Sequence, residues 1–112
     1  MSSTLDLQPV TDATFDAEVI QASGFVAVEF SAEWCGPCHL MTPIVQDVAR
    51  ELAPSLRVLA MDADANVATT TRLGVRSLPT MLVFRDGALV ARIVGAVPKP
   101  ALLDRLRSAG VA

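Results

Sequence analysis

Two cysteines, Cys35 and Cys38, are the residues of this chain whose type and spacing point most directly to chemistry. They flank Gly36 and Pro37, and a helical pattern begins at Pro37, so the two thiols can close a small disulfide ring. Cys35 would face the unpaired N–H groups and the positive end of the helix dipole, which favour a thiolate. We therefore predict that Cys35 attacks a disulfide and that Cys38, one turn further into the helix, resolves the product.

Three other interpretations of the cysteine pair are open. A zinc site needs about four ligands, and His39 is badly placed to share a metal with the adjacent Cys38. A purely structural disulfide would close a tiny loop and remove little entropy from the unfolded chain. Two inert buried cysteines are the third interpretation, although Gly36 and Pro37 suit a core segment poorly. The residues favour the redox pair, so neither a metal nor a bound cofactor is expected.

The elements that must position this pair are a strand before it and a helix after it. Residues 25–30 are short, apolar and bounded by Gly24, a pattern typical of a buried strand. From Pro37 to Leu52 the apolar residues recur every three or four positions, which predicts an amphipathic helix. Pro43 should kink this helix because an internal proline removes a backbone hydrogen bond.

The remaining segments alternate between helix-like and strand-like patterns. Thr11 and Asp12 are candidate N-caps for a first helix that ends at Gly24. The other predicted elements are a leading strand at 4–8, a strand at 56–62, a short helix at 66–73, hairpin strands at 80–84 and 89–94, and a last helix opened by Pro98. This order predicts an α/β fold in which a sheet, with an antiparallel hairpin at one edge, has helices on both faces.

Length, composition and charge limit the kind of protein this is. The chain has 112 residues, of which 52% are hydrophobic, and this suits one domain spanning 1–112. Its formal net charge is −3 and its nine basic residues are scattered, which argues against a nucleic-acid-binding surface. The sequence shows no secretory leader and no apolar run of about 20 residues. We expect a cytoplasmic monomer that binds neither nucleic acid nor membranes.

The cysteine motif and several later segments together resemble the thioredoxin family. The segments that carry the resemblance are 30–38 (FSAEWCGPC), Pro43, 75–80 (VRSLPT), 84–87 (FRDG) and 94–96 (VGA). The resemblance implies the thioredoxin fold, a central mixed sheet of about five strands flanked by about four helices. It also implies a thiol-disulfide oxidoreductase that reduces disulfides in partner proteins. Such a protein is recharged by thioredoxin reductase, a flavin enzyme that draws on NADPH.

Glu29 is a carboxylic acid within the apolar strand at 25–30. If it is buried without a partner its pKa should rise, whereas strand alternation could instead turn it to solvent. By resemblance it takes the place of a buried Asp that relays a proton through water to the resolving thiol. Ala60 stands where that acid often has a Lys partner, so Glu29 should be harder to ionise. We expect Glu29 to act as a general base for Cys38.

Pro79 has both a structural and a functional interpretation. It could simply be the first residue of a strand, where a missing N–H does no harm. The resemblance makes it the family's cis proline, packed against the cysteines, with the Leu78 backbone free to pair with an extended substrate. The resemblance also implies a flat, mostly apolar patch around Cys35. This patch comprises Trp34, Gly36, Pro37, Leu78, Val94, Gly95 and Ala96.

Several neighbours of the motif also carry two interpretations. Trp34 could be a core aromatic and Val94 an ordinary strand residue. Asp64 is either a turn residue or the acceptor for the Trp34 indole N–H. His39 stands where the family often has Lys, either as a solvated residue or as a cation that favours the thiolate. Ser31 stands where many members have a second Trp, which makes the wall behind the site less bulky.

Overall fold

The computed structural model describes residues 7–112. In chain order its elements are β1 (Gln8–Pro9), α1 (Asp16–Ile20), β2 (Phe25–Ser31), α2 (Gly36–Leu52), β3 (Leu56–Asp62), α3 (Val67–Arg72), β4 (Thr80–Arg85), β5 (Ala88–Val94) and α4 (Lys99–Ser108). Helix α1 is a short π-helix, whereas α2, α3 and α4 are α-helices. The predicted order of elements is confirmed over this range. Of the leading strand expected at 4–8, Gln8 lies in β1, and residues 4–6 lie outside the described residues.

The strands form one mixed sheet in the order β1-β3-β2-β4-β5. Both β1 and β2 run parallel to β3, whereas β4 is antiparallel to β2 and β5 is antiparallel to β4. In the hairpin turn Asp86 and Gly87 have φ values of 50° and 83°, as a type I′ turn requires. A side chain at Gly87 would also meet the backbone carbonyl of Ile20. The predicted hairpin at one edge of the sheet is therefore confirmed.

Two layers of apolar side chains cover the two faces of this sheet. Helices α2 and α4 pack on one face, where the buried residues include Ala27, Val45, Val83 and Leu102. Helix α1 and the end of α3 pack on the other, where the buried residues include Phe15, Val28, Leu59 and Leu82. Because successive residues of a strand point to opposite faces, Ala27 and Glu29 lie on the α2 side. The alternation of β2 thus directs Glu29 towards the helix that carries the cysteines.

The start of the first helix differs from the prediction. Helix α1 begins at Asp16 and has no side-chain cap, so the expected caps at Thr11 and Asp12 are wrong. The carboxylate of Asp12 instead accepts the backbone N–H of Thr69 in α3, at 2.8 Å. Hydrogen bonds from the Thr69 hydroxyl and from the Thr69 backbone N–H together hold the pKa of Asp12 below its ordinary value. Asp12 therefore joins two segments that lie 57 residues apart in sequence.

Helix α2 is the longest helix among residues 7–112, and it includes Pro43 in its interior as predicted. The kink expected at Pro43 stays a prediction. The Ala53-Pro54 peptide bond that follows the helix is cis, which the sequence pattern did not indicate. Across the described residues, none of the helices is both long and apolar enough to cross a membrane.

Candidate active site

The two cysteines lie at the N-terminus of α2 and form a disulfide with each other. Cys35 is the N-cap residue, with extended backbone angles, and Pro37 occupies the first turn, where a missing N–H costs nothing. The Cα atoms of Cys35 and Cys38 are 5.3 Å apart, as two residues at a helix start should be. The backbone N–H of Cys38 donates to the Cys35 sulfur at 3.2 Å. The pair is therefore bonded across the helix terminus, rather than being two separate thiols in the core.

The disulfide packs against a small apolar group. Cys35 and Cys38 are 3% and 4% exposed, and they contact Ala32 and the half-buried Leu78. The Leu78-Pro79 bond is cis, as the family resemblance implied, and Pro79 is buried. Residues 78 and 79, though some 40 positions later in the chain, thus belong to the surroundings of the cysteines.

The loop after β5 joins the same region through backbone contacts. The N–H of Gly95 donates to the carbonyl of Pro79 at 2.8 Å. Val94, which pairs with Thr80 across the hairpin, is 54% exposed. Ala96 is also exposed. The structure thus connects residues 94–96 to the cysteines through Pro79 and Leu78.

Trp34 lies on the surface beside the disulfide, with 71% of its surface exposed. Its indole N–H donates to the carboxylate of Asp64 at 2.7 Å. The interpretation of Trp34 as a core aromatic is therefore wrong, and Asp64 is the acceptor of this hydrogen bond. Gly36 and Pro37 are exposed next to it. An exposed indole that is anchored by one hydrogen bond presents a fixed apolar surface next to Cys35.

Glu29 is buried, with 6% of its surface exposed, so the alternative that it points to solvent is wrong. It lies opposite Ala60 in the β2–β3 register and opposite Met81 in the β2–β4 register. Burial raises the pKa of the Glu29 carboxyl from its ordinary value of 4.5 to about 8. Among residues 7–112 no cation pairs with it. Neutral and charged forms of Glu29 are therefore both accessible near pH 8.

A cleft, here called the inner cleft, is lined by both Glu29 and Cys38. It has a volume of about 160 Å³, and its walls include Glu29, Ser31, Cys38, Thr42 and Ala60. The Thr42 hydroxyl donates to the Cys38 carbonyl at 3.1 Å. Since Ala60 is small, the β3 wall leaves room beside Glu29. The inner cleft thus places an acid, two hydroxyls and a cysteine around one space.

His39 lies outside the inner cleft and is exposed. Its ring Nε2 is 2.6 Å from the backbone carbonyl of Glu33, so a protonated Nε2 donates to that carbonyl. This contact holds the imidazole against the loop before α2. An effect of His39 on the Cys35 thiolate stays a prediction.

Two residues near the site were not singled out by the sequence reasoning. Thr42 lies four positions after Cys38, and that spacing on a helix could have placed it beside the cysteine. Met41 is buried on α2, and its sulfur accepts the backbone N–H of Val97 at 3.3 Å. No local pattern predicts this second contact, because the two residues are 56 positions apart.

A disulfide at a helix N-terminus, beside a cis proline on a mixed sheet, defines a thiol-disulfide oxidoreductase. A family model described as "Thioredoxin" matches residues 6–108. "Thioredoxin 1" of Synechococcus elongatus is 42% identical over 97 residues, which cover 87% of this chain and 91% of that protein. "Thioredoxin" of Pseudomonas aeruginosa is 43% identical over 93 residues, which cover 83% of this chain and 86% of that protein. The chain belongs to the thioredoxin family, whose members are protein-disulfide reductases.

Proposed function

We propose that Cys35 is the nucleophile, and Cys38 the resolving thiol, in the reduction of disulfides in partner proteins. The observation that carries this proposal is the placement of Cys35 at the N-cap of α2, where its sulfur accepts the N–H of Cys38. That hydrogen bond and the positive end of the helix dipole both stabilise a thiolate at Cys35 when the pair is reduced. Cys38 lies three residues further along the chain, and its backbone N–H is the donor in this hydrogen bond.

The reaction consists of two thiol-disulfide exchanges. The Cys35 thiolate attacks one sulfur of the partner's disulfide, which breaks that bond, forms a mixed disulfide and releases the partner's other sulfur as a thiolate that takes up a proton. Deprotonated Cys38 then attacks the Cys35 sulfur. The second partner sulfur leaves, and the Cys35–Cys38 disulfide forms. Two electrons thus pass from the dithiol to the partner.

Glu29 is the proposed general base for the second exchange. Cys38 must lose its proton before it attacks, and Glu29 shares the inner cleft with it. A pKa raised to about 8 by burial is close to the ordinary pKa of a thiol, about 8.5, so a proton moves between the two groups at little cost. Within the described residues no cation lies beside Glu29 to lower its pKa, and this supports the similarity between the two pKa values.

The proposed substrate face comprises Trp34, Gly36, Pro37, Leu78, Val94, Gly95 and Ala96. These residues are mostly apolar, and the side chains of Trp34 and Val94 are exposed. Pro79 shapes the floor of this face, since it is buried and its carbonyl holds Gly95. The backbone around Leu78 is placed to pair with an extended partner segment. Apolar contacts and backbone hydrogen bonds require no particular side chain in the partner. The face therefore suits disulfides in many partner proteins.

The family resemblance supports further proposals about the surroundings of the protein. An NADPH-dependent thioredoxin reductase returns two electrons to the Cys35–Cys38 disulfide, so the chain acts as an electron carrier. We propose that it works as a monomeric single domain in the cytoplasm, without nucleic acid as a partner. The net charge of −3 supports the last point, because nucleic-acid binding needs clustered cations.

The reduction of insulin by dithiothreitol tests the proposed function. The wild-type chain should accelerate the reaction, and Cys35→Ser should abolish the acceleration. The matched variant Cys38→Ser should also lose turnover, but it should accumulate a mixed disulfide between Cys35 and an insulin chain, visible by intact-mass spectrometry. A protein that only binds its partners would show neither acceleration nor adduct. Such a result would refute the proposal.

A further inference from the structure

A second, more open cleft adjoins the inner cleft on the same side of the protein. This outer cleft has a volume of about 350 Å³ and is lined in part by Glu33, His39 and Asp62. The two clefts share Ser31, Cys38, Thr42 and Ala60 as wall residues. The same four residues thus line both the space beside Glu29 and the more open outer cleft.

We propose that Ser31 and Thr42 are positioning residues whose hydroxyls hold water between Glu29 and the outer cleft, so that Glu29 exchanges its proton directly with solvent. This proposal rests on the proposed role of Glu29 in the reduction of disulfides. It adds a route by which the proton that Glu29 takes from Cys38 leaves the protein.

The volume and the wall chemistry of the inner cleft support this route. A water molecule occupies about 30 Å³ in the liquid, so about 160 Å³ is room for several. Buried water needs polar partners, and the walls contributed by Leu7, Val45 and Ala60 offer no polar side chain. Among the residues that line this cleft, Ser31, Thr42 and Glu29 are the ones with side-chain oxygens.

The geometry of the two hydroxyls fits them for water. The Thr42 hydroxyl proton is committed to the Cys38 carbonyl, which leaves the oxygen lone pairs free to accept from water. Ser31 lies two residues after Glu29 on β2, so its side chain lies on the same face of the sheet. Ser31 is half-buried at the strand end. The Thr42 hydroxyl thus contacts the Cys38 backbone, and Ser31 lies on the same sheet face as Glu29, nearer the strand end and lining both clefts.

The charged groups around Glu29 leave water as its means of proton exchange. Neither Ala60 on β3 nor Met81 on β4 is titratable, and they are its register neighbours. On α2 the inner cleft contains Cys38, which titrates only when the disulfide is reduced, whereas His39 lines the outer cleft. Asp62 and Glu33 also line the outer cleft and carry charge of the wrong sign to pair with a carboxylate. Within residues 7–112, water is therefore the remaining route from Glu29 to solvent.

The direct test is the titration of Glu29, followed by carboxyl carbon NMR in the oxidised protein. Removal of the hydroxyls in Thr42→Val or Ser31→Ala should move the midpoint of Glu29 upward by about half a pH unit, since the carboxylate loses bound water. Thr42→Ser keeps a hydroxyl and should restore the wild-type midpoint. Thr70→Val is the matched control, because the Thr70 hydroxyl also donates to the carbonyl four residues earlier but lies on α3.

The result that would overturn the positioning role is a Glu29 midpoint that is the same in wild type, Thr42→Val and Ser31→Ala. Ser31→Ala deletes a single oxygen at a strand end, so it keeps the test valid if Thr42→Val fails to fold. This readout needs no turnover, and it decides the positioning role even if the protein does not reduce insulin. If the midpoint moves but the pH profile of insulin reduction does not, the proton route is refuted.

Discussion

Glu29 and Ala60 lie opposite each other in register on the parallel strands β2 and β3, at the base of the inner cleft. The pairing puts a methyl group where a cation could have neutralised the buried acid. Glu29 therefore keeps a pKa of about 8, because nothing among the described residues offsets its burial. Several measurable properties of the protein follow from this pairing and from contacts around the disulfide.

Ala60→Lys should lower the pKa of Glu29. An ammonium group beside the carboxylate stabilises the charged form, so we expect the midpoint to fall by about one pH unit or more. The pH at which insulin reduction reaches half its maximum should fall with it. Carboxyl carbon NMR and pH–rate profiles measure the two effects. Ala60→Met adds a side chain of similar length without charge, and an equal shift in both variants would rule out the electrostatic explanation.

The buried acid should also make the stability of the fold depend on pH. The pKa of Glu29 is about 8 in the folded state and near 4.5 when unfolded, so the folded state binds the proton more tightly. The free energy of unfolding should therefore fall as pH rises through this window, by about 1.4 kcal/mol for each pH unit, and level off above it.

Urea denaturation of wild type and Glu29→Gln across that window measures this contribution. Glu29→Gln has no ionisable group at this position, so its curve should lack the Glu29 part of the slope. Other titrating groups affect both proteins alike, and the difference between the two curves isolates Glu29. Parallel curves would contradict the prediction.

Asp64→Asn should loosen the exposed indole of Trp34. The Asp64 carboxylate accepts the indole N–H at 2.7 Å, and the amide would replace a charge-assisted hydrogen bond with a weaker one. We expect insulin reduction at low substrate to slow by about two- to fivefold. The fluorescence anisotropy of Trp34, the chain's single tryptophan, should fall as the ring gains freedom. Asp104→Asn changes an exposed carboxylate on α4 and should leave both readouts at the wild-type level.

Met41→Leu should weaken substrate binding, although Met41 is not one of the residues of the substrate face. The Met41 sulfur accepts the N–H of Val97, immediately after Ala96, and leucine cannot replace that contact. We expect the KM for insulin to rise about fivefold, which corresponds to one lost hydrogen bond, while kcat changes little. Met61→Leu makes the same replacement in the core on the opposite face of the sheet. Steady-state kinetics of both variants measure this effect. Equal KM values for the two variants would show that the contact between Met41 and Val97 does not support the substrate face.

The elements of the fold were largely predictable because their signals are local. The apolar run before Cys35, the periodicity after Pro37 and the Asp86-Gly87 turn each specify structure within a few residues. The expected cap at Asp12 was wrong for the opposite reason. Its carboxylate is used by Thr69, 57 positions away, and a long-range hydrogen bond leaves no trace in a local pattern.

The candidate site also combines features that local sequence predicts with features that depend on the tertiary fold. The cysteine pair was identified from its spacing, and the family resemblance supplied the cis bond at Pro79. Alternation alone left the burial of Glu29 open, since it shows that successive strand residues point to opposite faces but not whether the strand end is exposed to solvent. The exposure of Trp34 also runs against its residue type, because large aromatics are usually buried for the most part. These outcomes depend on which neighbours the tertiary fold places nearby.

Both of the chain's cysteines take part in the one disulfide, and the oxidised molecule has no free thiol. Each chain therefore has two free thiols when it is reduced and none when it is oxidised. A colorimetric thiol assay on the isolated protein would read its oxidation state as a stoichiometry, with no unrelated sulfhydryl to subtract. For the same reason, a mixture of redox states can be separated by alkylation and counted by mass.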